Sequence, residues 1–195
     1  MMSGYSKTGK VWFDKVVSAV FIFAFSWLIL LILLLYLLAI EFPILYRSER
    51  MGKSGIPFTM LKFRTLKSNE QLPLSDRQFW LGKFLRMTNL DELPQLWNVL
   101  KGEMSLVGPR PLPVAYQPLL SEEQKQRHAV LPGITGLAQV NGKNNLPWGK
   151  KFEYDLNYVR EISFLLDLKI LFKTFALILS LKRDVSLEEK QFTGE

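Results

Sequence analysis

The adjacent carboxylates Asp91 and Glu92 are the residues of this sequence best suited to do chemistry. They come at the start of a predicted helix over residues 91–101, which Gly102 closes. Because neighbouring helical residues point about 100° apart, the two cannot share one proton, but they can take two roles at one site. One carboxylate could attack a phosphoryl group while the other holds a metal ion. Acidic residues also favour the first turn of any helix, so the pair alone does not exclude an ordinary helix start.

A rigid loop and several basic residues are candidates for binding phosphate. Arg110 lies between Pro109 and Pro111, and a guanidinium on a stiff loop suits bidentate phosphate recognition. The alternative is a turn whose arginine pairs with a surface carboxylate. His128 is assigned a structural role, because the neighbouring Arg127 disfavours its protonation. Further positive charge comes from side chains that could equally be solvated, namely Lys62, Arg64, Arg86 and Lys143.

The chain contains no cysteine and a single histidine, which limits the chemistry open to it. Thiol nucleophiles, cysteine-based metal sites and sites with several histidines are therefore excluded. Of the 195 residues, 48% are hydrophobic and 22% are charged, which indicates a folded core rather than a disordered chain. The formal net charge of +7 would suit a nucleic-acid binder, but the basic residues are scattered and no recognition motif accompanies them.

A long apolar run near the start of the chain predicts insertion into a membrane. Residues 16–40 carry no charge, and 23 of these 25 residues are apolar. As one helix they would reach about 37 Å, compared with the roughly 30 Å hydrocarbon core of a bilayer. Three basic residues flank each end, so the positive-inside rule gives no orientation. The run either spans the bilayer or returns to the side it entered from; a buried helix of a soluble protein is the third alternative.

The rest of the chain is expected to form a mixed domain that positions the candidate residues. Residues 164–181 are too polar to span a membrane and too apolar for a free surface, so we expect them in the membrane interface or under the domain. The remaining predicted elements are a strand over 56–64, a helix over 76–87 with Phe79, Trp80, Phe84 and Leu85 as its apolar stripe, an extended loop over 108–111, a short helix over 121–127, a strand over 137–140 between two turns, and largely helical chain over 152–182.

Several blocks of residues, taken in order, form a specific signature. The longest is LDELPQLWNVLKGEMSLVGPRPL at 90–112, which contains both carboxylates and the proline-flanked arginine. KFRT occupies 62–65, and Arg127-His128 is followed by PGITGLAQVNG at 132–142. Lys10 and Phe13-Asp14 come just before the apolar run. Together these blocks, over residues 8–183, closely resemble the bacterial sugar transferases, the small monotopic phosphoglycosyl transferases that start glycan assembly on polyprenol phosphate.

The resemblance implies a fold and a reaction. The implied fold is α+β and helix-rich, with one re-entrant membrane-inserted N-terminal helix, interfacial amphipathic helices and a small mixed α/β catalytic domain. The implied ping-pong reaction moves a sugar 1-phosphate from a UDP-sugar to polyprenol (undecaprenyl) phosphate, releases UMP and passes through a phosphosugar ester on Asp91. Glu92 matches the family's Mg²⁺-binding position. The diphosphate must be neutralised, and the expected substrate-binding cations are Lys62, Arg86, Arg110 and Lys143.

The resemblance also implies how the chain is organised and where it works. We expect an N-terminal and membrane segment over 1–43, a catalytic domain over 44–185 and a polar tail over 186–195. The domain would lie on the cytosolic face of the bacterial inner membrane, binding a UDP-sugar and polyprenol phosphate but no nucleic acid, with the sugar and any protein partner unspecified. Ser26-Trp27 stands where relatives carry Ser-Pro, and Lys143 where they often carry Arg. A membrane-anchored scaffold without enzymatic activity is the alternative from another class.

Overall fold

The computed structural model describes residues 5–39, 42–69, 71–73, 76–142, 145–180 and 191–194. This described part is helix-rich with two small sheets, which agrees with the α+β class expected from the sequence. Its α-helices are α1 (Lys10–Ala24), α2 (Ser26–Ala39), α3 (Trp80–Met87), α4 (Gln95–Lys101), α5 (Glu122–Lys125), α6 (Leu137–Val140), α7 (Trp148–Glu161) and α8 (Phe164–Leu179). Its strands are β1 (Leu45–Met51), β2 (Pro57–Phe63), β3 (Ser105–Val107) and β4 (Gly133–Thr135).

The apolar run predicted as one membrane helix forms two helices, α1 and α2, which are bent by 59° at Phe25. No single helix in the described ranges is long and apolar enough to cross a membrane, whereas this bent pair meets the length and composition requirement jointly. The bend occurs without proline, since Ser26 and Trp27 follow the break. The two halves pack differently: α1 contacts α4 and β3, and α2 contacts α3. Contacts with the rest of the domain, rather than a proline, therefore hold α1 and α2 at an angle to each other.

A buried polar network fixes the start of α1 to the domain. The Lys10 ammonium donates to Asp167 Oδ2 of α8 at 2.6 Å and lies 3.5 Å from Asp14 Oδ2. Asp14 in turn accepts a hydrogen bond from the Ser105 hydroxyl of β3 at 2.7 Å, and Asp167 Oδ1 accepts one from Tyr158 of α7 at 2.7 Å. Since buried charges are costly unless paired and hydrogen-bonded, this network specifies one docking position for α1.

The helix predicted over 76–87 begins only at Trp80, and its buried face differs from the predicted stripe. Leu81 and Leu85 are fully buried in one apolar cluster with Ile32 and Tyr36 of α2. Trp80 and Phe84, by contrast, are 63% and 45% exposed. Phe79 is buried as predicted, just ahead of the helix. The predicted stripe is thus confirmed for Phe79 and Leu85 and wrong for Trp80 and Phe84, because the contact with α2, which sequence periodicity does not contain, selects the buried face.

The helix predicted over 91–101 is shorter than expected. Leu90–Glu92 form a 3₁₀ turn, and α4 begins at Gln95 directly after Pro94. Proline lacks an N–H and its ring crowds the preceding turn, so it favours the start of a regular helix over its interior. Gly102 ends the helix with a φ of 82°, as predicted.

The predicted strand over 56–64 is confirmed as β2, and its antiparallel partner β1 was missed. The register places Tyr46 opposite Lys62 and Arg50 opposite Phe58. Because side chains alternate between the two faces of a sheet, one face of the hairpin carries Tyr46, Arg50 and Lys62 together. β1 reads LYRSERM, and its charged residues obscured the alternation in the sequence.

The block at 132–142 folds differently from its prediction. Residues 133–135 form the parallel partner of β3, and residues 137–140, predicted as a strand, form helix α6. A Cβ atom at Gly133 would lie 2.1 Å from the backbone nitrogen of Gly108, and one at Gly136 would lie 2.1 Å from the Gly108 carbonyl oxygen. Close backbone approach thus decides where the strand lies, although glycine is a poor strand former.

The helical prediction over 152–182 is confirmed in its described part, as α7 and α8 with a break at Ile162 and Ser163. Ser163 caps α8 by accepting a hydrogen bond from the Leu166 N–H at 3.3 Å. The short helix capped by Ser121 is also confirmed. Of the predicted polar tail, the structure describes 191–194, in which Phe192 is 3% exposed and packs against the domain.

Candidate active site

A cavity of about 880 Å³ lies between the β1–β2 hairpin, the 3₁₀ turn at Leu90–Glu92 and the helices α1 and α8. Two groups of side chains in its lining differ in chemistry and are named here as two walls. The cationic wall comprises the basic residues around the two carboxylates, chiefly Lys62, Arg64, Arg86 and Arg110. The apolar wall comprises side chains of α1 and α8, chiefly Val17, Phe21, Leu171, Phe175 and Ile178.

The two carboxylates predicted as catalytic both line this cavity. Asp91 is 8% exposed, and its Oδ2 lies 4.0 Å from the Lys62 ammonium. Glu92 Oε1 accepts a hydrogen bond from the same ammonium at 2.6 Å. The turn that carries both residues follows Asn89, whose φ of 57° lies in the left-handed region. Adjacent carboxylates with unequal partners fit the expectation of two roles at one site.

Glu92 is held in its charged form. Burial alone would raise the pKa of this carboxyl, but the positive charges of Lys62 and Arg110 outweigh burial and lower the pKa to about 2. The Arg110 guanidinium reaches Glu92 Oε1 through Nη2 at 3.3 Å. Glu92 is therefore an anion at any pH near neutrality.

Three of the four predicted substrate-binding cations meet at the cavity. Lys62 and Arg110 contact Glu92 directly, and Arg86 lines the cavity with its Nε donating to Thr65 Oγ1 at 2.7 Å. Lys143 lies outside the described residues. The loop that carries Arg110 has no regular secondary structure, as its two prolines predicted.

Several residues that the sequence did not single out also line the cavity. Tyr46 and Arg50 come from β1 and share the face of the hairpin that carries Lys62. Arg77 and Asn89 line it from the segments on either side of α3. Tyr46 and Arg50 could have been found from the sequence. Tyr46, Ser48 and Arg50 alternate with a period of two, as expected for one face of a strand that pairs with β2.

The described residues contain no group of three or more His, Cys, Asp or Glu side chains that could hold a metal ion. Asp91 and Glu92 together supply two carboxylates on one turn of the cavity. Mg²⁺ is commonly held by one or two carboxylates together with substrate phosphates and water, rather than by an all-protein cage. Glu92, with Asp91 beside it, therefore fits a magnesium ion whose other ligands are phosphate oxygens and water.

His128 does not line the cavity, in agreement with its predicted structural role. It is 9% exposed. Burial and the nearby Arg127 charge lower its pKa to about 4, against the opposing effect of a hydrogen bond with the Gly52 backbone. The imidazole is thus neutral at physiological pH.

The fold and the site define a helix-rich enzyme domain whose cavity combines paired carboxylates, basic side chains and an apolar wall. The sequence profile of the family described as bacterial sugar transferase matches residues 5–181. The chain belongs to the bacterial sugar transferase family, as the motifs predicted, and it is a transferase. This assignment disfavours the scaffold alternative.

The chain is similar to several curated relatives. It is 43% identical over 190 residues to the uncharacterized sugar transferase EpsL of Bacillus subtilis (strain 168), covering 93% of this chain and 94% of that protein. It is 39% identical over 188 residues to the UDP-glucose:undecaprenyl-phosphate glucose-1-phosphate transferase of Klebsiella pneumoniae, covering 89% of this chain. It is 35% identical over 156 residues to the galactosyl transferase CpsE of Streptococcus agalactiae serotype III (strain NEM316), covering 70% of this chain. The chain spans 40% of the Klebsiella protein and 35% of the Streptococcus one.

Proposed function

We propose that this protein transfers a sugar 1-phosphate from a UDP-sugar to undecaprenyl phosphate, with release of UMP, by a ping-pong mechanism. The observation that carries the proposal is one cavity whose lining combines Asp91 and Glu92 with basic side chains and with apolar side chains of α1 and α8. The name of the Klebsiella relative describes this transfer for glucose 1-phosphate.

In the first half-reaction, the Asp91 carboxylate attacks the β-phosphorus of the UDP-sugar. A bond forms between the carboxylate oxygen and phosphorus, and the bond from phosphorus to the bridging oxygen breaks, so that UMP leaves with that oxygen and its electron pair. In the second, a phosphate oxygen of the polyprenol phosphate attacks the same phosphorus. Asp91 is expelled as a free carboxylate, and polyprenol diphosphate-sugar is formed.

Neither half-reaction needs a general base. The attacking group is an anion in each, which agrees with an enzyme whose one histidine lies away from the cavity. The obstacle is repulsion between a carboxylate and an anionic diphosphate. We assign Lys62, Arg86 and Arg110 to neutralise this charge, with Lys143 as a further predicted contributor.

Glu92 is the residue that would hold Mg²⁺, as the family resemblance implies, and Asp91 beside it is the nucleophile. The ion supplies Lewis-acid stabilisation of charge on the phosphoryl oxygens when it is bound. Glu92 stays ionised through its contacts with Lys62 and Arg110, so it presents a negative charge to a cation at all working pH values. This role distinguishes it from Asp91, which lies farther from the Lys62 ammonium.

We further propose that α1 and α2 form a re-entrant hairpin in the cytoplasmic membrane, with the catalytic domain on the cytosolic face. The 59° bend and the apolar side chains exposed along both helices support this arrangement. Phe172 and Phe175 of α8 are 73% and 63% exposed, which suits a helix that lies in the membrane interface beside α1 and α2. The lipid tail of the acceptor would then reach the apolar wall without leaving the bilayer.

The reaction is tested by incubating the purified protein with Mg²⁺ and single UDP-sugars, without any lipid acceptor, and measuring released UMP. We expect an amount of UMP about equal to that of enzyme, together with a mass increase of one sugar phosphate on a peptide containing Asp91. Absence of UMP with every UDP-sugar, or an adduct on another residue, would contradict the proposal. The same screen identifies the sugar.

The topology is tested with single cysteines, because the chain has none of its own. Cysteine is placed at Ser3 in one variant and at the highly exposed Glu122 in another, and intact cells are treated with a membrane-impermeant maleimide. We expect both sites to be protected until the cells are permeabilised. Labelling of Ser3→Cys in intact cells, with Glu122→Cys protected, would show that the segment spans the membrane.

A further inference from the structure

The loop that carries Arg110 is held mainly through its carbonyl groups. Pro109 and Pro111 have no N–H, so the loop lacks two of the donors that usually tie a backbone down. Instead, the carbonyl oxygen of Pro109 accepts a hydrogen bond from the Gly133 N–H at 3.0 Å. After the loop, the carbonyl oxygen of Leu112 accepts one from the Met51 N–H at 2.9 Å.

The carbonyl of Arg110 itself is held by a side chain from a distant part of the sequence. Arg127 donates to it through Nη2 at 2.7 Å. The same guanidinium donates to Asp155 Oδ2 of α7 through Nε at 3.0 Å and through Nη2 at 2.7 Å, and it lies over the Phe152 ring at 5.9 Å. Arg127 and Asp155 are each 3% exposed. The donor is therefore fixed on one side by a carboxylate and on another by an aromatic ring.

Arg127 does not line the cavity, so it acts on the site only through what it holds. Its partner Arg110 does line the cavity, with a guanidinium that reaches Glu92 at 3.3 Å. A shift of the Arg110 backbone would displace that guanidinium. Geometry at the reacting centre is sensitive to such small displacements.

We propose that Arg127, fixed by Asp155, is a positioning residue that sets the direction from which Arg110 meets the diphosphate of the UDP-sugar. This inference rests on the proposed function. Compared with apolar residues of similar size, a buried ion pair contributes little to the free energy of unfolding. We therefore assign the Arg127–Asp155 pair a role in orientation, because it fixes the direction in which the Arg127 guanidinium donates. The guanidinium has enough donors to serve the carboxylate and the Arg110 carbonyl together, which the compact ammonium of lysine does not reproduce.

The test measures KM and kcat for the UDP-sugar from UMP release in the presence of saturating polyprenol phosphate, which allows turnover, in two variants. Arg127→Lys keeps the charge opposite Asp155 but loses the planar fork. The double variant Arg127→Met/Asp155→Leu removes the ion pair without leaving a buried unpaired charge, and should keep the wild-type melting temperature. In both we expect KM to rise about tenfold while kcat changes less than about threefold. Arg160→Met is the matched control, because Arg160 is a 60% exposed arginine on α7 and should leave both constants unchanged.

A second comparison asks whether the effect passes through Arg110. Arg110→Lys alone should raise KM, and adding Arg127→Lys should cause no further rise, because the group being positioned is already altered. Additive effects, or a wild-type KM in a folded Arg127 variant, would overturn the inference while leaving the proposed function intact. Failure of the wild-type protein to release UMP would overturn the proposed function, and with it this inference.

Discussion

The two walls of the cavity differ in how the fold builds them. The cationic wall comes from a hairpin, a 3₁₀ turn and a proline-flanked loop, each fixed by hydrogen bonds and ion pairs. The apolar wall comes from α1 and α8, on which Phe21 and Phe175 remain exposed even though the helices themselves are anchored by Lys10 and Asp167. The difference indicates a division of work: under the proposed function, the cationic wall handles the nucleotide sugar, and both walls are needed for the lipid acceptor.

The largest effect should come from Asp91→Asn, which removes the attacking oxygen anion and leaves the shape unchanged. We expect UMP release to fall by at least about 10⁴-fold and the covalent adduct to disappear. The fold should persist, because Lys62 keeps its 2.6 Å contact with Glu92. Substitution of the exposed Glu122 by Gln serves as the control. Adduct formation by Asp91→Asn at the wild-type rate would contradict the assignment.

Glu92→Gln should have the next largest effect. It removes the charge that Lys62 and Arg110 both contact, and with it the predicted magnesium ligand. We expect UMP release to fall about 100-fold and the Mg²⁺ concentration for half-maximal activity to rise. Melting temperature is measured in parallel, since two cations lose a partner. Normal activity of Glu92→Gln with an unchanged dependence on Mg²⁺ concentration would contradict the role of Glu92 as a magnesium ligand.

The apolar wall is tested by a pair of phenylalanines three residues apart on α8. Phe175 lines the cavity, whereas Phe172 does not, and both are largely exposed. Phe175→Ser should lower the rate of transfer to polyprenol phosphate about tenfold, by loss of apolar contact with the lipid. It should leave UMP release without acceptor unchanged.

Phe172→Ser is the matched control for this prediction, and we expect it to affect transfer less than Phe175→Ser does. Equal losses in the two variants would mean that α8 contributes only general membrane contact. A loss of UMP release without acceptor in Phe175→Ser would mean that the apolar wall also serves the UDP-sugar half-reaction, and would contradict the proposed difference between the walls.

The smallest effect concerns His128, which belongs to neither wall. Its pKa is lowered from 6.5 to about 4 on folding, so the unfolded chain takes up the proton first. The stability it contributes is complete above pH 6.5 and is lost as pH falls from 6.5 to 4, on the order of 3 kcal/mol. In His128→Gln the melting temperature should fall less between pH 7 and 4.5, with little change in UMP release at pH 7. An equal fall of the melting temperature between pH 7 and 4.5 in the wild-type protein and in His128→Gln would refute this.

The sequence by itself supplied the candidate residues for the chemistry. Residue types and spacing made Asp91, Glu92 and the proline-flanked Arg110 candidates, and the ordered motifs identified the family. The strand β2, the capped helix after Ser121 and the helical chain after residue 152 followed from local patterns, because alternation, caps and periodicity are properties of neighbouring residues.

The tertiary structure alone decided what depends on contacts between distant segments. It placed Tyr46 opposite Lys62, made residues 133–135 a strand through their close approach to Gly108, and selected Leu81 instead of Trp80 for burial. It also bent the apolar run without proline and joined Arg127 to the Arg110 carbonyl. The physical reason is that register, close approach and buried ion pairs depend on which surfaces meet, and a local pattern of residues carries no record of that.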